Sequence, residues 1–190
     1  VTESCSPHRR AASLPPDERR AAIIAATEPL VLEHGEAVTT KQIAAAAGIA
    51  EGTIFRVFAD KVELLAATIE SAVDPNAFEA AISAIDDDLE FEDRLVAATQ
   101  IVERRVVHIW RLLSNLGPRL RDEASRPLAD SEALADLFRS ESARLRLDPV
   151  AAARLLRALT LSLTHPLLAA EPLPPSQIVD LLLHGIENDR

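Results

Sequence analysis

Between Thr39 and Leu65 the chain reads TTKQIAAAAGIAEGTIFRVFADKVELL, and this stretch constrains the fold more tightly than any other. Thr39 precedes Gln42 by three residues, the spacing of a capping box, in which each side chain satisfies one free N–H group at a helix start. The short helix that follows, 40–47, is mostly alanine, so a neighbouring backbone can come close. Gly48 supplies the left-handed conformation that stops a helix abruptly. A second short helix is expected over 51–57, and Asp60-Lys61-Val62-Glu63 opens a third that runs to about residue 72. Two short helices joined at a glycine, with an apolar residue directly after it, predict a helix-turn-helix. Ile43 and Ala47 are expected to pack against Ile49, Ile54 and Phe58. One face of the second helix is then free to enter a major groove about 12 Å wide.

The rest of the chain reads as all-α. Ala and Leu dominate, and β-branched residues do not alternate. A first helix is expected from Pro15-Pro16-Asp17-Glu18, where proline and acid suit the first turn, to a stop at Gly35. Ile23, Thr27, Leu30 and Val31 form its inner face, and Pro29 predicts a kink. Asp74-Pro75 is the best candidate boundary, because proline disfavours helix at the residue before it. Beyond it, helices are expected near 75–86, 91–115, 130–146, 149–166 and 174–188. In the long second one Leu95, Thr99, Val102, Val106, Ile109 and Leu113 share a stripe. The expected organisation is a disordered arm over 1–14, a helix-turn-helix head over 15–60, and a helical body over 61–190, whose ligand-binding and dimerisation roles come only from the resemblance described below.

Composition narrows the function. The formal charge is −10, which argues against nucleic acid as a partner for the surface as a whole. Residues 1–61, however, hold seven Lys/Arg against eight Asp/Glu, so nearly all the excess acid lies in the body. The sole cysteine, Cys5, permits no intrachain disulfide and fits a reducing cytoplasmic setting. No apolar run reaches the roughly 18–20 residues that span a bilayer, so no membrane partner is expected. Arg9 and Arg10 have no apolar stretch behind them, a pattern not expected of a signal peptide. The five histidines are scattered, and no nucleophile–base order, phosphate loop or metal-ligand spacing occurs. Neither an enzyme nor a metal or other cofactor is expected.

The pattern T-x-x-x-I-A-x-x-A-G-I-x-x-G-T-I-F-x-x-F-x-x-K-x-x-L, with Ile23-Ile24 and His34-Gly35 upstream, resembles the N-terminal signature of the TetR family of bacterial transcriptional regulators. That resemblance implies a TetR-like fold, a helix-turn-helix head on a helical-bundle body. It also implies a repressor that binds an inverted-repeat, double-stranded DNA operator as a homodimer and is released by a small-molecule effector. Position by position, Glu51, Gly52, Thr53, Phe55 and Arg56 would lie on or beside the recognition helix. Thr39, Thr40, Lys41 and Gln42 would sit near the DNA backbone, and Lys61 would meet a phosphate at a helix start. Three positions depart from the family pattern. Ala50 replaces the usual serine cap, Phe55 stands where tyrosine is common, and Val57 replaces the usual histidine or tyrosine. Each removes a polar group, and Glu51 would repel phosphate unless it accepts from a cytosine amino group. Arg9 and Arg10 are candidates for a minor-groove arm, with a solvated tail the plainer alternative. Arg19 and Arg20 read as a solvated helix face, with phosphate contact the alternative. A helical ligand-binding or protein-interaction bundle that has lost strong DNA binding is the rival to the regulator.

In the body, the helices 149–166 and 174–188 are apolar on more than one side, as elements buried twice would be. The ending LLLHGI is similar to the last helix of TetR-type bodies, and Gly185 is expected to allow close approach. By that resemblance the two helices pair with their copies about a two-fold axis, through Leu155, Leu159, Leu163, Ile178, Leu182 and Ile186. The ligand would lie among the middle helices, with Thr99, Gln100, Glu103, His108 and Trp110 as the polar and aromatic candidates.

Overall fold

The computed structural model describes residues 15–124 and 129–185, with side chains as far as residue 121 before the gap. The expected arm, with Cys5, Arg9 and Arg10, and the interface candidate Ile186 lie outside the described residues. All regular structure among the described residues is helical.

The first helix, α1, runs Pro16–His34 with Asp17 and Glu18 in its first turn. It continues unbroken through Pro29, where the sequence predicts a kink. Proline lacks the N–H that would bond the Ala25 carbonyl. Both residues are exposed, so water can satisfy that carbonyl without the helix parting. Then follow α2, Thr40–Ala46, α3, Glu51–Ile54, and α4, Lys61–Val73. The body holds α5, Pro75–Ser83, α6, Phe91–Ser114, α7, Pro118–Ala124, and α8, Glu132–Arg139. It closes with α9, Pro149–Thr164, and α10, Pro175–His184.

Several expected elements change. The second helix of the motif is one turn long, and Phe55, Arg56 and Val57 lie in the turn that closes it. The stretch 130–146 divides into α8 and a 3₁₀ turn, Ser142–Arg144. Sequence reading found no helix where α7 stands, because Gly117-Pro118 reads as a stop. Here Pro118 instead takes the first helical position, which its fixed φ favours. The last helix ends at Gly185, φ 79°, and not near residue 188. Among the described residues of the subunit nothing lies within 4 Å of where its Cβ would be, so within the subunit its glycine serves the backbone turn.

Two hydrophobic cores result. The body core gathers Phe78, Ile82, Leu95, Val102, Leu134, Phe138, Leu156, Ile178 and Val179 from α5, α6, α8, α9 and α10. The head core gathers Ile23, Val31, Ile43, Ile54, Phe58, Leu64 and Leu65. It also takes Leu112, Leu116 and Leu120 from the far end of α6, the α6–α7 corner and α7. The head is therefore docked on the body by shared apolar packing, and α4 belongs to the head's core for much of its length.

Candidate nucleic-acid interface

The geometry of the motif follows from a few local interactions. Thr39 Oγ1 accepts from the Gln42 N–H at 3.2 Å, and Gln42 Oε1 accepts from the Thr39 N–H at 2.8 Å. The capping box is complete. At the other end of α2 the N–H of Ile49 donates to the Ala44 carbonyl at 3.0 Å, and that of Gly48 to Ala45 at 3.2 Å. Those two bonds are the Schellman pattern, which needs a left-handed residue at the position Gly48 holds with φ 65°. The chain turns sharply there, and Ile43, Ile54 and Phe58 close into the head core at 0–1% exposure. Ile49 and Val57 pack partly against them. Ala47, expected in the same contact, is half-buried.

This packing leaves an open outer face. Lys41, Gln42, Glu51, Gly52, Phe55 and Arg56 are exposed, with Thr40 and Thr53 at its edge. Phe55, a large apolar side chain, is 51% exposed. Nothing lies within 4 Å of a Cβ built on Gly52, so a phosphate or base edge can approach its backbone closely. Lys41 and Arg56 make no hydrogen bond or ion pair with described residues, which leaves both charges available to an external anion.

Two predicted contacts are already engaged. Glu51 Oε1 accepts from Thr40 Oγ1 at 2.5 Å, which ties the start of α3 to the start of α2. Lys61 Nζ donates to the Glu36 and Val38 carbonyls at 2.7 and 3.2 Å. It thereby anchors the start of α4 to the 3₁₀ turn Gly35–Ala37 that follows α1. Its helix is capped by Asp60, whose Oδ1 accepts from the Glu63 N–H at 2.8 Å. Ala50, at the start of α3, provides no side-chain cap, as its identity predicts. Arg20 bridges α1 to the motif. It stacks over the Phe58 ring at 4.3 Å, pairs with Glu63 at 3.6 Å, and donates to the Val57 carbonyl.

Three contacts between head and body were not legible in the sequence. Glu36 accepts from the Gly117 N–H at 2.7 Å, joining the 3₁₀ turn to the α6–α7 corner. Asn115 Nδ2 donates to the Leu32 carbonyl at 3.2 Å. Arg105 Nη2 donates to the Val73 and Asp74 carbonyls at 2.7 and 3.1 Å, placing a cation on the negative end of α4. Partial burial lowers the Arg105 pKa from its ordinary value, against the pull of Asp74. An arginine on a long helix carries no sequence mark of such a partner.

The five ligand candidates on α6 do not converge on one space. Thr99 is fully buried and gives its hydroxyl to the Leu95 carbonyl at 2.7 Å, so its polar group is spent within its own helix. Gln100 is exposed. Glu103 and Trp110 lie on the Thr99 side by helical spacing, and Trp110 meets His165 edge-on with ring centres 5.7 Å apart. His108 points the opposite way, to Glu28 of α1 at 3.0 Å. Among the described residues no group of three or more His, Cys, Asp or Glu could hold a metal ion. No described helix is long and apolar enough to cross a membrane.

The interface candidates divide as well. Leu155 is 40% exposed, and Leu159, Leu163 and Leu182 are half-buried against the body core. Ile178 is 0% exposed inside its own subunit, which corrects its assignment to a surface contact. The α10 helix buries Ile178 and Val179 together, so its innermost edge lies between them. The exposed apolar positions on α9 are Leu155, Ala158 and Leu161.

Residues 23–68 match the family model for bacterial regulatory proteins of the tetR family. The fold is similar to that of a TetR/AcrR-family transcriptional regulator from Thermobifida fusca, with 24% identity and a TM-score of 0.59, over 90% of this chain and 100% of that one. It is similar also to the TetR-like regulator LfrR from Mycobacterium smegmatis, solved in complex with proflavine, with 22% identity and a TM-score of 0.54 over 90% and 99% of the two chains. The reduced form of NemR from E. coli matches with 19% identity and a TM-score of 0.55 over 88% and 95%. Comparison with curated proteins gives no match.

Proposed function

We propose that this chain, whose residues 23–68 match the family model for bacterial regulatory proteins of the tetR family, is a regulator of that family that represses transcription by holding an inverted-repeat operator as a homodimer and lets go when a small molecule binds. The observation that carries the DNA-binding part is the open face of the helix-turn-helix. The turn at Gly48 holds α3 against α2 through buried Ile43 and Ile54, and the side facing away carries Lys41, Gly52, Phe55 and Arg56. Arg56 is the side chain best suited to a guanine edge or a phosphate, since its forked guanidinium is unengaged among the described residues. Lys41 and Thr40 flank it for backbone contacts.

Dimerisation is supported by the outer face of α9, where Leu155 and Leu161 stand 40% and 36% exposed beside Ala158. Two copies meeting there about a two-fold axis would present two recognition helices, and an operator with two inverted half-sites follows. Release needs a coupling between body and head. Arg105 on the end of α4, Glu36 of the 3₁₀ turn on Gly117, and Asn115 on Leu32 are its candidates, because each contact joins α6 or its end to a head element. That LfrR was solved with proflavine motivates a small-molecule effector here.

Selection of genomic fragments by the purified protein tests the reading. Enrichment of a fragment containing an inverted repeat supports it, and the genes beside that fragment point to the effector. Failure to enrich any fragment at moderate salt favours the second reading, a helical ligand-binding or interaction bundle without strong DNA binding. Specific features lend weight to that alternative. Lys61 is turned onto carbonyls, Glu51 is exposed on the DNA-facing side, and the chain carries a net charge of −10.

A further inference from the structure

A cavity of about 300 Å³ lies where head and body meet, lined by Glu36, Lys61, Val62, Leu65, Gly117, Pro118, Arg119 and Leu120. Its volume is at the lower end of the range for small-molecule sites. Val62, Leu65, Pro118 and Leu120 give it an apolar wall, and Val62 is 40% exposed while Leu64 and Leu65, further along α4, are buried. The charged groups set what can enter. Lys61 brings a cation to the wall, and the acid beside it, Glu36, already accepts from the Gly117 N–H. The Lys61 ammonium has three N–H donors and spends two on carbonyls, so one is left for a guest.

We propose that this junction cavity binds a small organic anion, a monocarboxylate with a compact apolar body. The carboxylate meets Lys61, and the apolar part rests on Val62, Leu65 and Leu120. The site is separate from the α6 residues named as ligand candidates, and its walls come from both units. The head supplies α4 and the 3₁₀ turn, and the body supplies the α6–α7 corner. An occupant that draws Lys61 toward its carboxylate loosens the bonds from Lys61 to Glu36 and Val38, which fix the start of α4. Anion and DNA then oppose each other reciprocally. This consequence for DNA rests on the regulator reading, while binding of the anion does not.

Benzoate is the probe, titrated calorimetrically into the full chain without DNA. Saturable binding is expected, with the neutral isostere benzamide at least about tenfold weaker, as loss of one charge-assisted hydrogen bond implies. Lys61→Met and Val62→Glu are each expected to weaken benzoate by about tenfold or more. Val62→Glu changes an exposed position, so it keeps the test sound should Lys61→Met disturb the fold by circular dichroism. No benzoate binding, equal affinity for benzamide, or unchanged affinity in Val62→Glu overturns the site. With an operator fragment, saturating benzoate is expected to weaken DNA binding in the wild type and not in Val62→Glu. Unchanged DNA affinity at saturation overturns the coupling. Absence of DNA binding before benzoate is added instead counts against the regulator reading alone.

Discussion

Glycines 48 and 35 both hold a positive φ, yet for different reasons, and the difference is measurable. Gly48, φ 65°, has open space where a Cβ would stand, so Gly48→Ala meets only the backbone penalty of the left-handed region, about 1–2 kcal/mol. Gly35 has φ 58° and ψ −143°, in a region close to glycine-only, and an added Cβ would lie 2.5 Å from the Asn115 carbonyl oxygen. Gly35→Ala is therefore expected to destabilise by clearly more than Gly48→Ala in urea unfolding. Equal losses would show that the Gly35–Asn115 approach carries no weight. At this scale the motif was largely legible. Caps and helix-stopping glycines act on neighbours within a few residues, so Thr39, Gln42 and Gly48 declare themselves in sequence. The partners of Lys61 and Glu36 do not, because they lie 23 to 81 residues away in the chain.

At the scale of elements, α4 is held at both ends by groups outside it, Lys61's carbonyl partners at its start and Arg105 at its finish. Arg105→Met removes the donor from the Val73 and Asp74 carbonyls and the cation from the helix end. A loss of about 1–2 kcal/mol is expected in thermal or denaturant unfolding; no loss would mean that water replaces Arg105 without penalty. A second clamp joins α9 to the segment before α8. Arg154 Nε and Nη2 donate to the two Asp130 carboxylate oxygens at 2.7 and 2.5 Å, and these bonds hold the Asp130 carboxyl below its ordinary value of 3.8. A depressed folded-state pKa means stability present above the unfolded value and lost as pH falls through the folded one. The pair is exposed, so the effect is small. Asp130→Asn should lower the melting temperature slightly near pH 7 and not at all near pH 2. Sequence periodicity located most helices because an apolar stripe survives any tertiary arrangement. It missed α7, whose start reads as a stop, and it overran α3, whose closing turn is set by packing of Phe58 in the head core.

For the whole molecule, the two cores and their shared border decide what can move. Leu112, Leu116 and Leu120 dock the body's helices into the head, so displacement of α6 has a packed route to the head that carries the open helix-turn-helix face. Assembly is the further condition. Leu155→Arg with Leu161→Arg places two charges on the exposed face of α9 without touching the buried Leu156. Sedimentation is expected to show a monomer with unchanged helicity and strongly weakened operator binding. A dimer of wild-type affinity would place the interface elsewhere. Neither ligand site nor interface could be read reliably from sequence. A fully buried Thr99 or Ile178 and an exposed one look identical until the opposing helix is in place.

The claim on which all this turns is that the face bearing Lys41 and Arg56 grips duplex DNA. Fluorescence anisotropy with a genome-selected fragment across a salt series tests it directly, using wild type, Lys41→Ala and Arg56→Ala. Wild-type affinity should fall linearly with salt on logarithmic axes. Each variant should bind about tenfold more weakly. Lys41→Ala should also lower the slope by about one, as loss of one phosphate contact requires. Variants that match wild type in both affinity and slope would contradict it.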